Sequence, residues 1–221
     1  MTDIRTVLFD LDGTLADTAP DLGYALNELL REQGRPPLPD ALIRPEASHG
    51  ARALLKLGFG LTPDAPNYHD LRQRFLAIYA ANLTRGTRLF PGMPELLTAL
   101  QARGLAWGIV TNKPKSLTDP LVAKLGLATT AACVVSGDTT ANSKPHPEPM
   151  LYACRQTGSE PAQCLYVGDA ARDIQAGRDA GMHTLVALFG YIRPQDDPHA
   201  WGADGMIEHP RDILAWVKSR A

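Results

Sequence analysis

The chain has 221 residues, of which 44% are hydrophobic and 21% charged, and its formal net charge is -2. That length suits one domain with an insertion, or a medium domain beside a small one, and it buries a core without disulfides or structural metal. The near-neutral charge, with no basic stripe, argues against a nucleic-acid partner, and no apolar run approaches the ~20 residues of a membrane span.

Thr6-Val7-Leu8-Phe9 reads as a short buried strand that ends in the turn Asp10-Leu11-Asp12-Gly13-Thr14. From about Asp17 to Arg85 the chain has helical periodicity, with Leu22, Leu26, Leu29 and Leu30 on one face and Phe75, Ile78 and Tyr79 on another. No convincing strand lies there, and prolines punctuate it. This stretch is expected to be a helical insertion. Pro94 opens a helix that Gly104 closes, which is the preferred placement of both residues.

Strands are then expected at 106–110, 132–135, 164–167 and 183–187. Helices are expected at 115–125, 148–157 and 173–180, with a further strand and helix near 206–208 and 211–218. Strands alternating with helices of this length imply an α/β fold, a parallel sheet with helices on both faces. Ligands of such sheets bind beyond the carboxyl ends of the strands. Asp10, Asp12, Thr111, Asn112, Gly168 and Asp169 all fall there.

These residue types suit phosphoryl transfer, which needs a nucleophile, charge neutralisation and a proton for the leaving group. Asp10 ends a strand and is the expected nucleophile, since a carboxylate can form an acyl phosphate. Asp12 is expected to act as acid and then base. Gly13 and Thr14 suit a turn whose N–H groups face phosphate oxygens. Asp169 offers a hard oxygen to Mg²⁺, together with Asp10 and the backbone carbonyl of Asp12. Asp173 is expected either to orient a metal-bound water or to favour the N-terminus of its own helix. Thr111 and Asn112 are expected to donate hydrogen bonds to the transferring group, and Lys144 to neutralise it.

The four segments Asp10-Leu-Asp12-Gly13-Thr14-Leu15-x-Asp17-Thr18, Val110-Thr111-Asn112-Lys113, Lys144-Pro145-x-Pro147 and Val167-Gly168-Asp169-x-x-x-Asp173 resemble the motifs of the haloacid dehalogenase superfamily, in that family's order. The resemblance implies a Rossmann-like core of residues 1–16 and 86–221, a helical cap of residues 17–85, and the residue roles above. Segments such as His49-Gly50-Ala51-Arg52, Phe90-Pro91-Gly92-Met93 and Gly190-Tyr191-Ile192 are similar to bacterial phosphoglycolate phosphatase-like proteins. That narrower similarity implies a small phosphate ester as substrate: N-acetylmuramic acid 6-phosphate first, phosphoglycolate second. A phosphosugar mutase and a 2-haloacid dehalogenase are more distant alternatives.

Both esters carry a carboxylate, which cap arginines Arg44 and Arg52 are expected to bind through paired hydrogen bonds. His49 is a further cap-site candidate. Cys133, Cys154 and Cys164 form neither a disulfide framework nor a zinc motif, so reduced buried thiols are expected. The N-terminal segment lacks a secretory pattern, and a cytoplasmic monomer or homodimer is expected.

Overall fold

Thr6-Val7-Leu8-Phe9 has no polar face, as a parallel strand covered on both sides requires. In the computed structural model, which describes residues 3–219, it forms β1 (Thr6–Phe9), buried at every position. The outermost residues of the predicted core, 1–2 and 220–221, lie outside the described residues. A two-residue strand β2 (Ala16–Asp17) follows, then α1 (Ala19–Glu32), α2 (Asp40–Ile43), a 3₁₀ turn over Arg44–His49, α3 (Gly50–Phe59) and α4 (Tyr68–Ala81). The chain returns through β3 (Arg88–Leu89), α5 (Met93–Ala102), β4 (Ala106–Val110), α6 (Lys115–Lys124), β5 (Val134–Val135) and α7 (Glu148–Thr157). It finishes with β6 (Cys164–Gly168), α8 (Ala171–Asp179), β7 (His183–Ala187), β8 (Gly205–Ile207) and α9 (Asp212–Lys218).

Among the described residues, six strands form one parallel sheet in the order β5-β4-β1-β6-β7-β8. β1 is therefore central. The chain adds two strands on one side of it and three on the other, and ligand crevices open at that switch in winding direction. Register decides what meets there. Phe9 is opposite both Ile109 and Val167. Asp10 is thus level with Val110 and Gly168, one residue below Thr111 and Asp169, and the Asp10 amide donates to the carbonyl of Val167 at 2.9 Å.

The segment between β1 and α5 is helical as expected, apart from β2 and β3. These two pair antiparallel, Ala16 with Leu89 and Asp17 with Arg88. Each is only two residues long, too short for any periodicity to mark it in the sequence. The buried Asp21 of α1 braces this neck by accepting from the amides of Gly86 at 2.7 Å and Thr87 at 2.8 Å. Without it, the buried Thr87 amide and the half-buried Gly86 amide would lose their acceptor. α1 packs against α4, with Leu22, Leu26, Leu29, Phe75, Ile78 and Tyr79 in a common core. All three cysteines are free and buried. No helix among the described residues is long and apolar enough to cross a membrane.

Candidate active site

Asp10 follows β1 directly and is almost fully buried. One of its carboxylate oxygens accepts from the Leu11 amide at 2.7 Å and lies 3.0 Å from Lys144 Nζ. Burial holds the Asp10 carboxyl above its usual range, and Asp173 adds to this, while Lys144 and Arg172 pull the other way. The Lys144 side chain has no solvent exposure. Its ammonium also meets Asp173 Oδ1 at 2.7 Å, Tyr166 Oη at 2.7 Å and the Val110 carbonyl at 2.9 Å. A buried cation is tolerable only when so fully partnered. Tyr166 in turn donates to the same Val110 carbonyl at 2.7 Å.

Asn112, expected to donate to the transferring group, lines the cavity but has one amide N–H engaged inside the protein. Its Oδ1 accepts from the Lys144 amide at 2.9 Å and its Nδ2 donates to the Lys144 carbonyl at 2.8 Å, so the side chain pins the loop that aims Lys144. The Gly13 expectation also changes. Its N–H donates to the Ala16 carbonyl at 3.0 Å and is taken. Glycine is needed there for another reason: φ is +83°, and a Cβ would stand 2.1 Å from Asp169 Oδ2.

Asp169, at the end of β6, accepts from Ser48 Oγ at 2.6 Å and from the Tyr191 amide at 2.8 Å on one oxygen, and from Thr14 Oγ1 at 3.3 Å on the other. Burial, and then the charges of Asp10 and Asp173, push its carboxyl up to about 7. Oxygens of Asp10, Asp169 and Asp173 lie within 4.8 Å of one another. Asp173 combines two tasks, since its Oδ2 accepts from the Ala170 amide at 3.0 Å at the start of α8 while its Oδ1 faces Lys144. Asp12 is placed differently. Its side chain lies outside the carboxylate group and accepts from Lys113 Nζ at 2.8 and 2.9 Å and from Thr18 Oγ1 at 2.5 Å. Its backbone carbonyl is 3.2 Å from Ser48 Oγ, on the Asp169 side.

A cavity of about 360 Å³ opens above this arrangement, with Asp10, Asp12, Thr111 and Asn112 among its lining residues. Lys144 does not line it. The cations that do are Lys113, Arg172, Arg52 and Arg72. Lys113 is buried beside Asp12, with its ammonium 4.8 Å from the centre of the Tyr79 ring. Burial works against the Lys113 charge, but Asp12 and Tyr79 outweigh it and raise its pKa. The Tyr79 hydroxyl is itself pushed up to about 12, chiefly by burial. Arg172 lies 3.9 Å from Asp10 and donates to His49 Nδ1 at 3.0 Å and to the Ser48 carbonyl at 2.7 Å. A guanidinium only donates, so His49 Nδ1 accepts and the ring of a neutral His49 carries its proton on Nε2.

Sequence reasoning passed over Lys113, Arg172, Ser48, Tyr166 and Tyr191. Lys113 and Arg172 sit inside the segments that carried the argument, Thr111-Asn112-Lys113 and Asp169-Ala170-Ala171-Arg172-Asp173, and that position was the available signal. Tyr191 lies in the quoted Gly190-Tyr191-Ile192 segment, whereas Ser48 and Tyr166 had no such signal. Arg52 lines the cavity and Arg44 does not. Arg44 is spent on Asp17, 3.0 Å from both carboxylate oxygens, and its guanidinium stacks 5.0 Å from the centre of the Tyr191 ring. Tyr191 Oη donates to the same carboxylate at 2.6 Å.

The profile of the haloacid dehalogenase-like hydrolase family matches residues 7–187. An N-acetylmuramic acid 6-phosphate phosphatase of Pseudomonas aeruginosa is 44% identical over 211 residues, covering 96% of this chain and 93% of that one. A phosphoglycolate phosphatase of Xanthomonas campestris is 45% identical over 215 residues, covering 96% and 97%. Among solved structures, one described as a predicted phosphoglycolate phosphatase of Haemophilus somnus superposes with a TM-score of 0.86 at 30% identity, covering 98% of this chain and 99% of that one.

Proposed function

The chain belongs to the haloacid dehalogenase-like hydrolase family, and from that membership we propose a magnesium-dependent phosphatase that works through an aspartyl phosphate on Asp10. It is a phosphoric monoester hydrolase; metal, intermediate, residue roles and substrate are the proposed parts. One observation carries the reading: Asp10 lines a cavity with its carboxylate 3.0 Å from a buried ammonium, beside two further buried carboxylates.

Asp10 attacks phosphorus in line, forming the Asp10 oxygen–phosphorus bond as the ester oxygen–phosphorus bond breaks. Lys144 lowers the Asp10 pKa against the raising effect of burial and so favours the attacking carboxylate. Lys113, Arg172 and the Thr111 hydroxyl face the phosphoryl oxygens from the cavity wall. Asp12 gives a proton to the departing alkoxide. Lys113 is paired with Asp12 in the resting arrangement, so this step needs Lys113 to turn to the incoming dianion and Asp12 to take a proton from solvent first. Asp12 then takes a proton from water as that water attacks the acyl phosphate, which regenerates both aspartates and releases inorganic phosphate.

Three buried carboxylates with raised Asp10 and Asp169 pKa values suit a hard divalent cation, and oxygen donors are what Mg²⁺ prefers. Asp10, Asp169 and the Asp12 carbonyl would hold it, with Asp173 beside them. When bound it supplies positive charge that lets a carboxylate approach a phosphate dianion. EDTA is expected to stop phosphate release and added Mg²⁺ to restore it. Release that ignores the chelator would remove Asp169 from its role.

Residues 17–85 act as a cap over a core of residues 1–16 and 86–221, with the paired β2 and β3 as its neck. The substrate is proposed to be N-acetylmuramic acid 6-phosphate, the compound named for the Pseudomonas relative, with Arg52 among the cations that draw the anionic ester into the cavity. The cavity volume supports that choice, because a two-carbon ester leaves most of about 360 Å³ to water. Measuring kcat/KM for N-acetylmuramic acid 6-phosphate and phosphoglycolate side by side is the test. A clear advantage for phosphoglycolate would reverse the assignment. Asp12 has no task in carbon–halogen cleavage, and recovery of free phosphate in place of a second sugar phosphate separates the hydrolase from a mutase.

A further inference from the structure

Helix α4 turns one face to the catalytic cavity. Arg72, Phe75, Leu76 and Tyr79, spaced at i, i+3, i+4 and i+7, all line it. Tyr79 marks the catalytic end, since its ring meets Lys113 and Lys113 meets Asp12. Arg72 lies seven residues toward the helix N-terminus, about 10 Å along the axis at ~1.5 Å per residue. Helical side chains lean toward the N-terminus, which carries its guanidinium further from Asp12.

Arg72 is half-buried, yet among the described residues it has no hydrogen-bond or ion-pair partner. Several other arginines are otherwise engaged. Arg44 is held by Asp17, Arg172 by Ser48 and His49 beside Asp10, Arg193 by Glu46 at 2.7 Å, and Arg74 on the same helix by Glu32. A half-buried guanidinium with nothing to bind forfeits hydration without return. Its fork of donors matches a carboxylate. Arg52 also lines the cavity but is exposed, so solvent weakens its hold on an anion.

We propose that Arg72 reads a carboxylate carried on the side of the substrate remote from its phosphate. This deepens the substrate reading above and rests on it. In phosphoglycolate the carboxylate is only a few bonds from phosphorus, short of the ~10 Å that Arg72 lies along α4 from Tyr79 at the catalytic end. In N-acetylmuramic acid 6-phosphate the whole sugar ring and a lactyl ether separate the two charges. Phe75, Leu76 and Leu117 then provide apolar wall beside the ring.

The test compares N-acetylmuramic acid 6-phosphate with N-acetylglucosamine 6-phosphate, the same amino sugar ester without the lactyl carboxylate. Arg72→Gln is expected to lower the ratio of their kcat/KM values by ~10–100-fold, the worth of a charge-assisted pair, mainly through KM. Arg72→Lys is expected to recover part of that ratio. If wild-type enzyme favours the carboxylate ester and Arg72→Gln leaves the ratio intact, or lowers both substrates alike, Arg72 has no reading role. If wild-type enzyme shows no preference between the two esters, the substrate assignment itself fails and this proposal falls with it.

Discussion

Asp10→Asn is expected to lower phosphate release by on the order of 10⁴-fold, since removing the group that forms the covalent bond removes the whole pathway. The fold is expected to survive. An asparagine Oδ1 can still accept from the Leu11 amide and from Lys144, and Lys144 keeps Asp173, Tyr166 and the Val110 carbonyl. Burial also opposes the Asp10 charge, so a neutral amide relieves a cost as well as removing a partner. Phosphate release and circular-dichroism melting, measured on the same preparation, check both halves. Turnover near the wild-type rate, or a covalent phosphate still found on residue 10 after acid quench, would remove Asp10 as nucleophile.

The second large effect is on stability. Lys144→Met is expected to cost about 3–5 kcal/mol, because it strands the Asp10 and Asp173 carboxylates in the interior without their shared cation. Four polar groups converge on that ammonium, so little of the loss can be absorbed by rearrangement. Adding Asp173→Asn is expected to return part of the stability and none of the activity, since the pair then buries one charge fewer but Asp10 still lacks its counter-ion. Urea unfolding of the two variants measures this. Equal stabilities for wild type and Lys144→Met would mean that the buried carboxylates are already protonated, and the charge argument would fail.

The parallel sheet was readable because its strands are short apolar runs closed by glycine or a polar turn, and because helices with Pro and Gly at their ends alternate with them. The convergence of residues 10, 111 and 169 followed from that alternation. Asp12 was read as an acid, but nothing local announced its ion pair with a lysine 101 residues away. Asn112 and Gly13 were assigned to the ligand because their residue types suit phosphate. The Gly13 N–H goes instead to Ala16, and Asn112 also pins the Lys144 backbone, partners set by tertiary structure. Ser48 and Tyr191 reach Asp169 from distant segments, and no spacing rule links them to it. Arg44 had the chemistry for a carboxylate, and it found one inside the protein.

The placement of β1 at the centre of the sheet also bears on how the chain is made. Of the strands of this sheet, Thr6–Phe9 leaves the ribosome before the others, and its neighbours are residues 106–110 and 164–168. At ~5–20 residues per second, about 8 to 30 s pass before the second neighbour is even synthesised. Through that interval an apolar strand is exposed with unpaired edges, while the helices of residues 19–81 can already pack on one another. Mutations that weaken the last strands are therefore expected to appear in cells as lost soluble yield before they appear as lost catalysis.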